Sequence, residues 1–369
     1  MESLGKEDQE KVVVNDLSQM PDGEFKDHLK KYPELFEFSF KSEEPKNKIV
    51  HRIKTTDNDP IRAKVRKYPP GSPKAVQGKK AIEELKKLGI IEKVDPSKPT
   101  NFVSPVHFAL KSDGSLRTVG DFRLLNQKTV LDQYPLPNLK SWHSDIAGST
   151  IFSKVDIVKA FHHLSIDKRD RWKTCIITPW GLYNFRRLAM GLQNSAQSFQ
   201  RHLDDVLKGL PNVFCYLDDI LVFSRTKKDH TKTLEEIFKR LDGAGLTLSL
   251  SKCEFNKESL TYLGFEVSST GIRPVEKKIQ ALQNFPTPVK QKQLLAFLGS
   301  LNYYRASLPS LDPDETHPNA RTPAQILEPL YKLATCQIPK KSFFESIWKN
   351  SKNIQKSFQD AKLLLEKKL

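Results

Sequence analysis

Cysteine is scarce in this 369-residue chain, with only Cys175, Cys215, Cys253 and Cys336 present. No two of them form a C-x-x-C pair, and no histidine spacing completes a zinc site. A disulfide scaffold and a structural zinc module are therefore excluded, and the thiols read as reduced and mostly buried. No apolar run is long enough to span a bilayer. The opening Met1-Glu2-Ser3 is too polar for a signal peptide. Internal repeats are absent. These absences predict an intracellular, soluble protein with no membrane partner.

Acidic charge is also in short supply. Lys+Arg number 60 against 44 Asp+Glu, a net +16 with a pI near 9.5. The excess is uneven. Residues 41–100 carry 16 Lys/Arg against 8 Asp/Glu, and residues 321–369 carry 10 against 4. Both stretches mix charge with proline and apolar residues, which fits folded basic faces better than a disordered arm. A polyanionic partner is implied, nucleic acid first and an anionic membrane surface second. On composition alone, a merely basic soluble protein stays open. The hydrophobic share, 38%, and the length allow a packed core and two or three domains.

Periodicity places the elements. Residues 1–40 form a mixed leader with an amphipathic stretch from Glu24 to Phe38, and Ile49 to Pro73 reads as extended or looped. Ala81, Ile82, Leu85 and Leu88 recur at helical spacing, so Gly78 to Leu88 is a helix stopped by Gly89. Ser104–Lys111 and Leu116–Phe122 form a hairpin turning at Ser112-Asp113-Gly114. Lys111 then sits on one arm and Arg117 on the other. Strands follow at 151–157 and about 260–267, and helices at 194–207, 232–241, 275–284, 290–304 and 350–368. Residues 309–323, rich in Pro, Asp and Asn, read as a linker.

The chemistry lies in three acids. Asp156 ends an apolar strand, and Asp218-Asp219 interrupt the apolar run Val213–Phe223, which reads as a hairpin with the acids at its turn. Ionised carboxylates are costly to bury unless paired. Divalent cations would pair them, and a two-metal site suits in-line attack at a phosphate. Aspartate is also common in turns, so an isolated Asp-Asp carries little. The neighbours decide the matter.

Phe152-Ser153-Lys154-Val155-Asp156-Ile157 with Ala160-Phe161-His162 resembles the first catalytic motif of gypsy-type LTR-retrotransposon reverse transcriptases, relatives of the retroviral enzymes. Leu188–Ala196 with Phe199-Gln200-Arg201 resembles the second. Tyr216-Leu217-Asp218-Asp219 resembles the Y-x-D-D box, Ser251–Phe255 the fourth motif and Tyr262-Leu263-Gly264-Phe265 the primer grip. Asp113-Gly114 to Arg117 and Asp121–Asn126 resemble the fingers hairpin and its continuation, and Phe297–Gly299 with Asn302–Arg305 the thumb. The ordered set spans residues 100–305.

This resemblance implies an α+β right-hand polymerase with an antiparallel palm sheet. Fingers would occupy 41–131 and 165–194, palm 132–164 and 195–268, and thumb 269–311. A linker would cover 312–324, and a partial connection segment 325–369, with RNase H absent. The implied activity is RNA- and DNA-directed DNA synthesis from a primer and dNTPs, with two Mg²⁺ or Mn²⁺ ions. Asp156, Asp218, Asp219 and the Ile157 carbonyl would hold the metals, and Lys252 would protonate pyrophosphate. Arg117, with Lys111 as a second candidate, would hold the triphosphate; Ala160, Phe161 and Met190 would complete the dNTP site. Phe161 would exclude a 2′-hydroxyl. Arg123, Asn126, Gly191, Asn194 and Tyr216 would meet the RNA template or DNA primer, and Leu263 and Gly264 the primer end.

Ala189, Met190 and His163 depart from the usual residues of the family, Pro, Phe or Gln, and Gln respectively, which bears on nucleotide fit. No Asp-Ser/Thr-Gly protease signature appears in residues 1–40. The implied location is cytoplasmic, within virus-like particles. Monomer and dimer are both open. Two rivals remain: an RNA-dependent RNA polymerase, disfavoured by Phe161, and a non-catalytic nucleic-acid-binding scaffold, disfavoured by the intact acids.

Overall fold

The computed structural model describes residues 12–13, 24–38, 40, 46–47, 49–95, 97, 100–110, 114–138, 141–305, 308–311, 320–337 and 341–365. They form two compact units, 1–258 and 259–369.

The first unit runs, after its N-terminal part, through α1 (Pro73–Lys87), β1 (Ile91–Lys93), β2 (Ser104–Leu110), β3 (Leu116–Gly120), α2 (Arg123–Lys128) and β4 (Ile151–Asp156). It continues with β5 (Ile176–Thr178), β6 (Gly181–Phe185), α3 (Ser195–Leu207), β7 (Val213–Tyr216), β8 (Asp219–Ser224), α4 (Lys227–Gly243) and β9 (Glu254–Lys257).

Two sheets organise it. One has the order β1-β6-β5-β2-β3, with β2 and β5 parallel and the other neighbours antiparallel. The other is wholly antiparallel, in the order β7-β8-β4-β9. Strands β4 and β8 are central and largely buried, β8 along nearly its whole length, with Val155 and Ile220 paired and fully buried. Helix α4 lays Leu234, Ile237, Phe238 and Leu241 into the core, the i, i+3, i+4, i+7 stripe of an amphipathic helix.

Two helices start earlier than their periodicity suggests. Thr226 caps α4 by accepting the Asp229 N–H, which adds the turn before Lys232. Helix α1 begins at Pro73 behind the Ser72 cap, not at Gly78. Gly78 instead lets α1 lie on β2: a Cβ there would come within 2.9 Å of the Phe108 ring.

The second unit opens with the antiparallel meander β10 (Ser259–Tyr262), β11 (Phe265–Ser268) and β12 (Gly271–Pro274). The strands at 259–268, read as palm from sequence, therefore cluster with the C-terminal unit, where Phe265 packs on Tyr303 and Tyr304. Among the described residues five helices follow: α5 (Glu276–Gln283), α6 (Gln291–Tyr303), α7 (Pro323–Thr335), α8 (Lys341–Asn350) and α9 (Lys352–Leu363). Phe297, Phe344, Trp348 and Phe358 join them in one core. Helices α7 and α8 correct the sequence reading, which gave only one helix after residue 324. The linker reading falls mostly on 312–319, outside the described residues; at its end Thr322 forms a capping box with Gln325. Among the described residues no helix is long and apolar enough to cross a membrane.

Candidate active site

The three acids meet at one end of the antiparallel sheet. Strand β8 pairs with β4 so that Asp219 faces Asp156 across the ladder. Tyr216 and Asp219 form the last pair of the β7–β8 hairpin, leaving Leu217-Asp218 as a two-residue turn. Such turns need positive φ at the first central residue, normally supplied by glycine. Here Leu217 adopts φ +54°. For a side chain this size that conformation costs roughly 1–3 kcal/mol. The Ile157 N–H then donates to the Asp218 carbonyl at 3.1 Å, tying the turn to the end of β4.

Each outer acid faces a lysine. Lys252 Nζ lies 3.4 Å from Asp156 Oδ1, and Lys154 Nζ 3.3 Å from Asp219 Oδ1. Lys154 sits two residues before Asp156, hence on the same face of β4. Burial raises the Asp156 carboxyl to about 6 despite Lys252, and raises Asp218 as well. The Asp156 N–H donates to Cys253 Sγ at 3.4 Å, and burial pushes that thiol up to about 12, so it is inert packing. Of the four thiols Cys336 is exposed, against the expectation that such residues lie inside.

Among the described residues no three His, Cys, Asp or Glu side chains converge as a ready-made metal cluster. The donor chemistry nevertheless fits a hard divalent cation. Asp156 and Asp218 are carboxylates whose burial is incompletely compensated, and oxygen donors of that kind suit Mg²⁺ or Mn²⁺. The two lysines match the outer acids one for one, so the formal count over the three carboxylates leaves one negative charge.

Beside the acids opens a cleft of about 620 Å³. Arg117, Ile157, Ala160, Phe161, Met190, Asp218 and Lys252 all line it, so most of the residues read as metal- and dNTP-binding come together. Phe161 is partly buried and meets Phe199 edge-on at 5.6 Å. Lys111 lies outside the described residues.

The residues read as template contacts behave differently. Asn126 spends its amide on the fold, donating to the Gly191 carbonyl at 2.8 Å and accepting the Gln193 N–H at 2.9 Å. Asn194 is buried, donating to the Val130 carbonyl and accepting the Asp132 N–H. Both brace the loop around Gly191, so their amides are engaged within the fold. Arg123 is exposed and forms a two-pronged pair with Asp121. Tyr216 flanks the Leu217-Asp218 turn.

Leu263 and Gly264 belong to the second unit, where they make the two-residue turn between β10 and β11. Both have positive φ, +46° and +81°, the geometry of a tight hairpin. A Cβ on Gly264 would also lie 3.2 Å from the Tyr304 hydroxyl. The Tyr303 hydroxyl donates to the Leu263 carbonyl at 2.5 Å.

Three residues were missed in the sequence. Lys154 and Gln200 stood out only as parts of longer motifs; Lys159 was passed over. Lys159 lines the cleft with φ +47° and pairs with Glu84 of α1 at 3.4 Å. Gln200 carried a signal in its position: a polar residue on the apolar face of α3, between Phe199 and Leu203.

Comparison with known proteins decides the family. Residues 109–267 match the family model described as reverse transcriptase (RNA-dependent DNA polymerase). The chain is 33% identical over 325 residues to the retrovirus-related Pol polyprotein from transposon 297 of Drosophila melanogaster, covering 84% of this chain and 30% of that protein. It is 33% identical over 302 residues to the corresponding polyprotein of transposon gypsy from the same organism, covering 79% of this chain and 29% of that protein. The chain belongs to the reverse transcriptases of LTR retrotransposons. It spans about 30% of the length of those polyproteins.

The fold agrees with that membership. The foamy viral protease-reverse transcriptase in complex with dsDNA matches with TM-score 0.74 and 23% identity, over 96% of this chain and 70% of that one. The same enzyme in complex with an RNA/DNA hybrid matches with TM-score 0.72 and 23% identity, over 93% and 43%. This chain thus has the polymerase fold with an antiparallel sheet. Enzymes of this family use divalent metal ions.

Proposed function

We propose that this reverse transcriptase copies an RNA or DNA template onto a primer with dNTPs, using Asp156 and Asp218 as principal metal ligands. The observation that carries the reading is the register of β4 and β8, which puts Asp156, Asp218 and Asp219 at one sheet end beside the cleft. Two ions held there, with the Ile157 carbonyl as a further donor, would activate the primer 3′-hydroxyl and neutralise the triphosphate.

The chain's own residues do the rest. Arg117 reaches the cleft from β3, and its guanidinium suits phosphate oxygens. Lys252, 65% exposed on its side chain and 3.4 Å from Asp156, is free to turn toward the leaving pyrophosphate and give it a proton. Ala160, Phe161 and Met190, which all line the cleft, would contact the nucleotide. The thumb reading of 269–311 and the primer-grip reading of Leu263-Gly264 rest on the motifs alone.

Primer extension on an RNA template tests the reading. Synthesis that stops in EDTA and returns with Mg²⁺ supports it; no synthesis with any divalent cation overturns it. The basic balance adds a second expected result. With +16 overall and 16 Lys/Arg against 8 acids in 41–100, template-primer binding should weaken steeply with salt through counterion release. An anisotropy titration should lose about tenfold or more in affinity between 50 and 200 mM salt. A flat response would place the basic face away from the nucleic acid.

A further inference from the structure

The turn that presents Asp218 is not held by its own strands alone. Gln200 of α3 is fully buried, and its Oε1 accepts the Leu217 N–H at 2.7 Å. Its Nε2 donates to the Cys215 carbonyl at 3.2 Å and to Asp204 Oδ1 at 2.8 Å. One side chain therefore grips the hairpin on both sides of Tyr216. The other oxygen of Asp204 accepts the Tyr134 hydroxyl at 2.6 Å.

These contacts have a direction. A carboxylate only accepts, so Asp204 can face only the NH₂ end of the Gln200 amide. The carbonyl end is thereby forced toward Leu217, where a donor waits. Leu217 is the residue in the left-handed region, and its N–H must be satisfied in that conformation. Tyr134 in turn fixes which oxygen Asp204 offers. The segment carrying Tyr134 is itself anchored to α3, because Arg201 binds both Asp132 oxygens at 2.7 Å and stacks over the Tyr134 ring at 4.6 Å.

We infer that Gln200 is a positioning residue for Asp218, with Asp204 and Tyr134 setting the orientation of its amide so that the strained Leu217 turn keeps the carboxylate aimed at the metal site. The inference rests on Asp218 being a metal ligand, as proposed above. Gln200 touches no substrate; it acts through the Leu217 backbone.

The test is a set of full-length variants measured for extension, template-primer binding, Mn²⁺ binding by EPR titration and Tm. Gln200→Leu keeps the bulk and removes both ends of the amide. Its kcat should fall about 10–100-fold, the size of one to two lost interactions at the transition state. Template-primer Kd and dNTP KM should stay within about threefold, while Mn²⁺ binding weakens about tenfold. Gln200→Glu sets a carboxylate against Asp204 and should lose at least as much. Adding Asp204→Asn restores a donor at 204 and should return about tenfold of that loss. Tyr134→Phe, which removes only the hydroxyl on Asp204, should lower kcat about threefold and covers the case in which Gln200→Leu fails to fold.

A merely structural glutamine gives another pattern: kcat falls in step with Tm, Mn²⁺ binding is unchanged, and the double variant shows no recovery. That pattern overturns the inference, as does wild-type turnover by Gln200→Leu. Failure of the underlying reading shows separately, as wild-type extension and Mn²⁺ binding by Asp218→Asn.

Discussion

Asp218→Asn and Asp156→Asn are each expected to abolish primer extension while leaving template-primer binding intact. The loss should be about 10³-fold or more, because metal positioning carries most of phosphoryl-transfer catalysis. The amide keeps the size and half the polarity of the carboxylate but not its charge. The same substitution at Asp156 should make the protein more stable. Its carboxyl titrates at about 6 in the folded chain against 3.8 in the unfolded one, raised chiefly by burial. The folded state therefore holds more protons than the unfolded state between those values, and metal-free stability falls as pH rises from about 4 to about 6. A difference of that size corresponds to about 3 kcal/mol withheld at neutral pH. That difference is already net of the opposing pair with Lys252, whose mostly exposed side chain is screened by solvent. Burial outweighs the pair, so Asp156→Asn should raise Tm by a few degrees at pH 7 in EDTA, and the gain should vanish at pH 4. Calorimetry at the two pH values checks the sign. Undiminished extension by either variant would remove the assignment of these acids as metal ligands.

The site's stability cost explains why so much of it was legible. An acid inside an apolar strand contradicts the pattern around it, and such contradictions survive where chemistry requires them. Asp156 and Asp218-Asp219 stood out for that reason, and a hairpin turning at the acid pair followed from the apolar arms of 213–223, although the turn proper is Leu217-Asp218 and Asp219 already lies in β8. Helices α1, α3 and α4 were visible in the sequence and the short α2 was not; the true starts of α1 and α4 were hidden, because a cap such as Thr226 or Ser72 lies outside the apolar stripe. Helix α7 was hidden because its start at Pro323 fell in the stretch read as linker, although Pro323 follows a threonine cap. What sequence could not show was pairing at a distance. Lys154 and Asp219, 65 residues apart, meet only through the β4–β8 register. Asn126 and Asn194 were matched to template-contacting positions, and the fold consumes both amides in bracing one loop.

Phe161→Ala should shift sugar choice more than it shifts overall activity. The residue follows Asp156 by five positions and lies within the short helical segment Ala160–His163. With Ala160 and His162 it lines the cleft. A rigid ring there excludes by overlap, and overlap discriminates more strongly than a missing contact, which is worth about 1–3 kcal/mol. Removing the ring opens room for a 2′-hydroxyl. The ratio of kcat/KM for dCTP to that for rCTP, measured on one primer, should drop about 10–100-fold. The opposing expectation comes from packing. Phe161 meets Phe199 edge-on and borders the core, so truncation also removes apolar contact. At a partly buried site the cost should be about 1–3 kcal/mol, below that of a fully buried phenylalanine. Lost packing alone would lower both rates together and leave their ratio fixed. Phe161→Val retains some of that packing while still removing the flat ring, so it should show the same ratio change with a smaller loss of Tm. If the ratio holds constant in both variants while they stay folded, Phe161 is a packing residue, and selection against the 2′-hydroxyl lies elsewhere in the cleft, with Met190, which also lines it, as the next position to change.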